Sequence, residues 1–218
     1  MRTIGAAVCA AAALVGCGHR HRGDECKGAK AAHVAIVHVD DHSDYMAGVV
    51  TRVGTAADRG AIDPIARAAG VHVLVDNWHT PAAGIITDHA LAAPDHAALA
   101  HYVASLPPIP AGHRIVYQHD ADGWRTLFVE TAPVVDADQL ASGAIDGDGI
   151  RIELTRDGGK AFERATAAAV GHKLAVVIGD EAVAAPVVLD PIRAGALEIT
   201  SPDPSGDVAL LKRIGCSG

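Results

Sequence analysis

Histidine and carboxylate side chains are the groups in this sequence whose types and spacing come nearest to a metal site. The chain has 218 residues, of which 13 are His. One short segment mixes imidazoles with carboxylates, both of which bind transition metals: His38, Asp40, Asp41, His42 and Asp44. His19 and His21 form an alternating pair farther upstream. Other histidines are scattered over the predicted strands, loops and helices: His72, His79, His89, His96, His101, His113, His119 and His172.

Neither histidine group has the spacing of an established metal motif. The sequence contains no Cys-x-x-Cys and no His-Glu-x-x-His. Alanine is abundant and arginine outnumbers lysine, a composition typical of GC-rich genes, which also favour histidine codons. We therefore attribute the histidine content to composition, and we expect no metal site and no other cofactor.

Asp95, His96 and Ser105 come nearest to a catalytic set, but the sequence does not arrange them for catalysis. Adjacent residues on one helix, such as Asp95 and His96, do not face each other. The chain has no Gly-x-Ser-x-Gly nucleophile turn and no Gly-rich phosphate loop. We expect a protein that is not an enzyme.

The composition is that of a globular protein. Hydrophobic residues make up 50% of the chain and charged residues 20%, so a sizeable core can form and extensive disorder is excluded. The formal net charge is −8, which argues against a nucleic-acid partner.

Residues 1–16 have the layout of a secretory signal, with Arg2, an apolar run from Ile4 to Val15 and a small residue before Cys17. The apolar run is shorter than the roughly 20 residues that span a bilayer. The segment ending in Leu14-Val15-Gly16-Cys17 resembles the bacterial lipobox, in which diacylglycerol is attached to the Cys thiol and the new amino terminus is acylated. We expect lipidation at Cys17 and a membrane-anchored mature chain. The alternative is a plain cleaved signal in which Cys17 has no role.

Residues 17–32 are rich in Gly and charge and lack an apolar period, so they are predicted to form a flexible tether. Cys9 leaves with the signal and Cys17 carries the lipid. Cys26 and Cys216 then allow one disulfide in an oxidising periplasm, which we expect to form. The alternative is two free thiols.

Hydrophobic periodicity and turn residues predict an α+β protein. Strands are predicted at 33–39, 71–76, 85–90, 114–117, 124–129, 150–154, 173–178, 182–188 and 197–199. Helices are predicted after Ser43 or Asp44, from Pro64 to Gly70, from Asp95 to Leu106, from Asp136 to Ser142, after Thr155, and from Val208 to Ile214. Trp78 and Pro81 are placed in a loop, and Trp78 and Trp124 are interpreted as core or hinge residues.

The second half of the chain resembles a known family. Residues 171–200, GHKLAVVIGDEAVAAPVVLDPIRAGALEIT, resemble the head of the first periplasmic domain of SecD, a membrane subunit of the protein-export machinery. Residues 154–166 and 130–145 resemble two upstream segments of that head, in the same order and spacing. The positions that carry the signature are Gly158, Phe162, Thr166, Gly171, Ala185, Pro186, Ile192, Gly195 and Ile199. Their roles are structural: Gly171 and Gly195 lie at changes of direction, and Pro186 marks a strand edge or bulge.

The resemblance implies the fold and the domain organisation. It implies an antiparallel or mixed sheet with helices packed on one face, in a head-like subdomain over residues 111–218. Residues 33–110 resemble the earlier part of the same periplasmic domain more weakly, which implies a smaller α+β, base-like region. SecD continues into membrane helices that use the proton gradient, whereas this chain ends at Gly218 without them. We therefore expect that it does not use the gradient itself.

The resemblance also implies a partner. It indicates a non-enzymatic protein of the cell envelope that binds translocating polypeptide or the Sec translocon on the periplasmic side, by strand addition or apolar contact. Which membrane holds the lipid is left open between the inner and the outer. The alternative is an envelope lipoprotein that reuses the fold for another partner, a metal or a small ligand.

Overall fold

The computed structural model describes residues 26–27, 34–54, 63–146, 149–193 and 195–200. These residues divide into two compact units. The larger unit comprises Ile36–Pro133 and Ala169–Leu189, and the smaller unit comprises the described residues up to Ala35, Val134–Ala168 and those from Asp190 onward. Within the described ranges, no helix is both long enough and apolar enough to span a bilayer.

Eleven strands and four α-helices make up the described part of the chain. The strands are β1 (Cys26–Lys27), β2 (Val34–His38), β3 (His72–Thr80), β4 (Gly84–Ala93), β5 (His113–Asp120), β6 (Gly123–Glu130), β7 (Leu140–Asp146), β8 (Gly149–Leu154), β9 (Leu174–Ile178), β10 (Glu181–Ala184) and β11 (Ala196–Thr200). The helices are α1 (Asp44–Val53), α2 (Pro64–Ala68), α3 (His96–Val103) and α4 (Arg156–Ala168), with a 3₁₀ turn at Ala137–Gln139.

A seven-stranded mixed sheet organises the larger unit, with the order β2-β9-β10-β5-β6-β4-β3. The β3–β4, β4–β6, β5–β6 and β9–β10 pairs are antiparallel, whereas β10 runs parallel to β5. Every side chain of β9 is buried. A strand covered on both faces reads as a continuous apolar run, and LAVVI has that pattern.

Three helices pack on one face of this sheet. Side-chain oxygens cap each helix: Ser43 accepts from the Met46 N–H, Asp63 from Ile65 and Asp95 from Ala98. The apolar residues buried between the helices and the sheet are Met46, Val49, Val50, Val53, Ala66, Val71, Leu91, Ala93, Leu99, Tyr102, Ile115 and Phe128. The predicted fold class, a mixed sheet with helices on one face, is confirmed.

The smaller unit contains a four-stranded sheet with the order β1-β7-β8-β11. The side chains of β8 alternate, because Ile150, Ile152 and Leu154 are buried while Arg151 and Glu153 are exposed. Helix α4 packs against β8 through its buried face, which includes Phe162 and Ala165. The Thr155 hydroxyl caps α4 by accepting from the Gly158 N–H, as the sequence predicts.

Four sequence predictions need correction. Trp78 lies in β3 rather than in a loop, because β3 and β4 pair without interruption up to Thr80 and Gly84, and the Thr87 hydroxyl donates to Asn77 Oδ1 across them at 2.8 Å. The predicted helix from Asp136 to Ser142 is a single 3₁₀ turn followed by β7, since β7 pairs with β8 from Leu140 onward.

The other two corrections concern the end of one strand and the presence of another. The predicted strand at 182–188 ends at Ala184, because Pro186 has no N–H to donate to a ladder and the register already shifts between Ala182 and Ala184. Within the predicted tether at 17–32, Cys26–Lys27 form β1, which finds a partner in β7.

Strands from both sides of residue 110 share the seven-stranded sheet, so the compact units do not follow the predicted division into 33–110 and 111–218. As a division by family resemblance it stays a prediction. The signal at 1–16, Cys17, Cys216 and the predicted helix at 208–214 lie outside the described residues.

Candidate functional site

Two polar clusters of the larger unit meet at the turn Gly171–Lys173, which connects α4 to β9. The first, which we call the Asp41 cluster, consists of Asp41, His42 and His172. The second, which we call the ionic cluster, consists of Asp76, Asp88, Arg125 and Lys173. Because His172 and Lys173 are consecutive, one turn of the backbone positions a member of each cluster.

The Asp41 cluster joins the loop between β2 and α1 to the turn before β9. Asp41 Oδ1 lies 2.8 Å from His172 Nδ1 and 2.9 Å from His42 Nδ1. The other carboxylate oxygen, Oδ2, accepts a hydrogen bond from the Lys173 N–H at 3.1 Å. The Asp41 side chain is only 2% exposed, whereas His42 and His172 are 53% and 38% exposed. A buried carboxylate thus holds two solvent-facing imidazoles.

Backbone hydrogen bonds fix the two segments that carry this cluster. The Val39 N–H donates to the Lys173 carbonyl at 3.2 Å, and the Asp40 N–H donates to the Phe128 carbonyl at 2.9 Å. On the other segment, the His172 N–H donates to the Ala169 carbonyl at 2.8 Å. The two histidines therefore lie in backbone segments that hydrogen bonds hold in place.

The ionic cluster neutralises two like charges that face each other across the β3–β4 pair. Asp76 and Asp88 are directly opposite each other in the β3–β4 pair, where two like charges are destabilising. Lys173 Nζ lies 2.7 Å from Asp88 Oδ2 and 3.4 Å from Asp76 Oδ2. Arg125 Nη2 lies 2.6 Å from Asp76 Oδ2. One cation from β6 and one from the turn before β9 thus neutralise two adjacent carboxylates.

The pKa values of the two carboxyls in the ionic cluster are shifted in opposite directions. Burial opposes ionisation of Asp76, but Arg125 and Lys173 outweigh it and hold its pKa below the ordinary value. Asp88 is buried more deeply; burial raises its pKa, and Lys173 and Arg125 offset that effect only in part. Asp88 is therefore the carboxyl that depends most on its cation.

Trp78 and Gly171 complete the packing around this turn. The Trp78 indole N–H donates to the Gly171 carbonyl at 2.8 Å, and Lys173 Nζ lies 4.5 Å from the centroid of the indole ring. Gly171 has φ +92°, and a Cβ at this position would come within 2.5 Å of Ala83 Cβ and 2.7 Å of Thr80 Oγ1. Only glycine fits this approach of the turn to the β3–β4 hairpin.

A separate cleft of about 440 Å³ lies in the smaller unit, at the N-terminal end of α4. Four cations and two carboxylates are among its lining residues: Arg151, Glu153, Arg156, Lys160, Glu163 and Arg193. Glu153 pairs with Arg151 at 3.5 Å and Glu163 pairs with Arg193 at 3.4 Å. Within the described residues, Arg156 and Lys160 have no such partner, so the cleft carries an excess of positive charge. We call it the α4 cleft.

The second half of the chain matches a known protein family. Residues 113–215 match the family described as SecDF, P1 head subdomain. The chain carries a SecDF P1 head-like domain. The resemblance predicted from the sequence is confirmed for this part of the chain.

Solved SecDF structures are also similar to the chain. A crystal structure of SecDF in a super-membrane-facing form is 16% identical, with a TM-score of 0.35 over 86% of this chain and 30% of that one. A structure of SecDF described as a membrane component that enhances protein export is 17% identical, with a TM-score of 0.35 over 84% of this chain and 94% of that one. SecDF from Thermus thermophilus is 14% identical, with a TM-score of 0.30 over 87% and 29%.

These TM-scores are too low to add to the family match. The chain spans 30% of the length of the first of these SecDF structures. No curated protein matches the chain significantly.

The signature positions of the SecDF P1 head-like domain fall into two groups. One group lies in the smaller unit and comprises Gly158, Phe162, Thr166, Ile192, Gly195 and Ile199. The other lies in the larger unit and comprises Gly171, Ala185 and Pro186. Each group serves packing or backbone geometry within its own unit.

In the smaller-unit group, Thr166 acts as a polar link. Its hydroxyl donates to the Phe162 carbonyl and accepts from the Ile192 N–H, both at 2.9 Å. Phe162 and Ile199 are buried. Gly158 packs so closely on Gln139 that a Cβ would come within 2.5 Å of the Gln139 carbonyl oxygen.

The glycines and the proline also have defined backbone roles. Gly195 has φ +63°, at the turn before β11, and its carbonyl accepts from the Leu154 N–H. The Pro186 carbonyl accepts from the Leu174 N–H at 3.1 Å, and Ala185 precedes it in the irregular segment after β10. The structural roles predicted for the signature stay a prediction.

Sequence reasoning placed Asp41 and His42 in a histidine and carboxylate segment but counted His172 among the scattered histidines. His172 approaches Asp41 from 131 residues away along the chain. His38, Asp40 and Asp44, from the same segment, are not part of the Asp41 cluster. The ionic cluster was missed altogether, although Asp76 and Asp88 stand out as charges within apolar strands.

Proposed function

We propose that the protein is a lipid-anchored periplasmic protein of the export pathway that binds translocating polypeptide or the translocon. The match of residues 113–215 to the SecDF P1 head subdomain carries this proposal. The lipobox-like segment ending at Cys17 supports the lipid anchor, and the secretory signal before it supports the periplasmic location.

The α4 cleft supports polypeptide binding. Arg156 and Lys160 lie one turn apart at the N-terminal half of α4, where the helix dipole is already positive. The dipole repels cations at that end, and Asp157, the acidic residue of the first turn, does not line the cleft, so an anionic group in the cleft relieves the repulsion there. We infer that the cleft receives an acidic stretch of an extended polypeptide.

The edge of β11 supports a second mode of contact. β11 pairs with β8 along one edge over Ala196–Thr200, and among the described residues no strand pairs with its other edge. An extended chain adds to such an edge through main-chain hydrogen bonds, which do not depend on sequence. That independence suits a protein whose ligands are many different exported chains.

Site-specific photocrosslinking tests the proposal. A photoreactive residue at Arg193, which lines the α4 cleft and is 77% exposed, is expected to capture nascent secreted chains or translocon subunits in envelope preparations. Arg164 provides the matched control, because it is exposed on α4 but does not line the cleft. A probe at exposed Asp180, in the β9–β10 turn, extends the test to the larger unit.

The proposal fails if probes at Arg193 and Asp180 capture no more export components than the Arg164 control does. The anchor is tested separately by incorporation of labelled palmitate. Labelling is expected for the natural sequence and for Cys9→Ser, and it is expected to disappear in Cys17→Ser. Unchanged labelling of Cys17→Ser would contradict the predicted lipid site.

A further inference from the structure

We propose that Asp41, His42 and His172 form a binding site for a divalent transition-metal ion, with Zn²⁺ as the best match to their chemistry. The three residues offer one ligand atom each, and these atoms lie within 4.8 Å of one another. Two imidazoles and one carboxylate are a recurrent donor set for Zn²⁺. The site goes beyond the proposed export function, since the α4 cleft is built from other residues, all of the smaller unit.

The distances in the Asp41 cluster suit a shared ion. Zn²⁺ bonds to His nitrogen and carboxylate oxygen at about 2.0–2.2 Å, so two ligands at tetrahedral angles stand somewhat more than 3 Å apart. Asp41 Oδ1 is 2.8 and 2.9 Å from the two imidazole nitrogens. These are hydrogen-bond lengths, so an ion enters when each imidazole nitrogen moves away from Oδ1 by about half an ångström, a movement that the exposed rings can make by turning.

The cluster is accessible to an ion from solution. It brings one carboxyl together with two imidazoles, and both imidazoles are open to solvent. Three protein ligands leave a fourth position for water or for a group from a partner. An open coordination position distinguishes this arrangement from a closed structural zinc site.

Backbone hydrogen bonds orient the carboxylate and fix the segments that carry the two histidines before any ion arrives. The Lys173 N–H donates to Asp41 Oδ2, which orients the carboxylate and leaves Oδ1 for the site. Hydrogen bonds of this kind to a ligating carboxylate raise metal affinity by fixing its geometry. The Ser43 cap of α1 follows His42 directly and fixes the start of that helix.

The alternative is that the site holds no metal ion. Each imidazole then donates its own Nδ1–H to Asp41 Oδ1, and the cluster is a pair of hydrogen bonds between the two segments. Among the described residues, no other group of three His, Cys, Asp or Glu side chains approaches this closely. A titration with the metal ion separates the two cases.

Isothermal titration calorimetry with Zn²⁺ tests the site on the full chain without an added histidine tag. One saturable equivalent is expected for the natural sequence. His42→Ala and His172→Ala are each expected to weaken binding at least tenfold, because each removes one of three ligands. Both side chains are partly exposed, so their removal leaves the core intact, and circular dichroism checks this for each variant.

Two controls match the variants. His119→Ala removes an exposed histidine on β5, and the double variant His19→Ala/His21→Ala removes the other closely spaced pair in the sequence. Both are expected to bind Zn²⁺ as the natural sequence does. Co²⁺ is expected to give visible absorption bands of low coordination number that are lost in His172→Ala.

The proposal is overturned if no saturable equivalent binds, or if folded His42→Ala and His172→Ala bind as tightly as the His119→Ala control. It is also overturned if the double variant at the tether removes the binding. These outcomes are independent of the crosslinking result, because captured export components depend on the α4 cleft and Zn²⁺ binding depends on the Asp41 cluster.

Discussion

Replacing Lys173 with Met leaves the buried Asp88 carboxylate without its closest cation. Methionine preserves most of the length and apolar contact of the lysine stem, so the change removes mainly the charge. The side chains of Lys173 and Asp88 are 9% and 8% exposed, which means that solvent cannot substitute for the missing ammonium. We expect the larger unit to lose stability.

The magnitude follows from the geometry. At the observed 2.7 Å and an effective dielectric constant of about 20, the attraction between Nζ and Oδ2 is ~6 kcal/mol. The variant recovers the cost of burying the ammonium, and removing one partner of a buried pair typically costs about 3–5 kcal/mol. Arg125 Nη2 remains 3.8 Å from Asp88. We therefore expect the low end of that range, about 3 kcal/mol.

Thermal and chemical denaturation measure this loss. For a domain of this size, about 3 kcal/mol corresponds to a decrease of roughly 6–12 °C in Tm. The matched control is Lys160→Met, because Lys160 is an exposed lysine of the α4 cleft and its replacement is expected to change the free energy of unfolding by less than about 0.5 kcal/mol. A chelator in all samples keeps metal ions away from the neighbouring His172.

The pH dependence provides a sharper test. Burial already raises the pKa of Asp88, and losing Lys173 raises it further. A carboxyl with a raised folded-state pKa contributes most to stability below its unfolded pKa, and that contribution is lost as the pH rises through the folded-state pKa. The deficit of Lys173→Met should therefore shrink as the pH is lowered from 8 towards 5. A deficit below about 1 kcal/mol, or one that does not change with pH, would refute this reasoning.

Two further substitutions test the packing of the signature residues. Gly171→Ala places a Cβ against the β3–β4 turn at a positive φ, and urea unfolding is expected to show a loss of at least ~2 kcal/mol in the free energy of unfolding. The control Gly179→Ala is also at positive φ but in open space, so it should lose only about 1 kcal/mol. Equal losses would show that steric contact does not matter. Thr166→Val leaves the Ile192 N–H without its acceptor and is expected to lower the free energy of unfolding by ~2 kcal/mol. The control Thr51→Val, at an exposed threonine, should change it by less than about 0.5 kcal/mol. Similar values for both variants would contradict a stabilising role for the hydrogen bond between Thr166 and Ile192.

Local chemistry made much of the fold predictable. Asp63-Pro64 and Pro94-Asp95 predict the starts of two helices, and the side chains of Asp63 and Asp95 cap α2 and α3 there. The β9–β10 hairpin follows from apolar runs around Gly179, which has φ +67°. Signals of this kind depend on residues close together in the chain, so a single sequence contains them.

Long-range pairing was not predictable in the same way. The polar pair Asp76-Asn77 before Trp78 predicts the end of a strand. In the structure β3 continues to Thr80, because it pairs with β4 without interruption. His172 reads as one histidine among many until the turn before β9 carries it to Asp41. The sequence therefore indicates only two of the three residues of the Asp41 cluster. Asp41 and His42 are adjacent in the chain, whereas His172 is 131 residues from Asp41.

The topology of the seven-stranded sheet has a consequence for dissecting the protein. A fragment that begins at residue 113, where the family match starts, lacks β2, β3 and β4. Strands β9 and β6 would then present bare edges, since β2 and β4 are their neighbours in the sheet, and Lys173 would lose both of its carboxylates. Bare edges promote self-association. The segment that the family match covers therefore lacks three strands of the seven-stranded sheet to which part of it belongs.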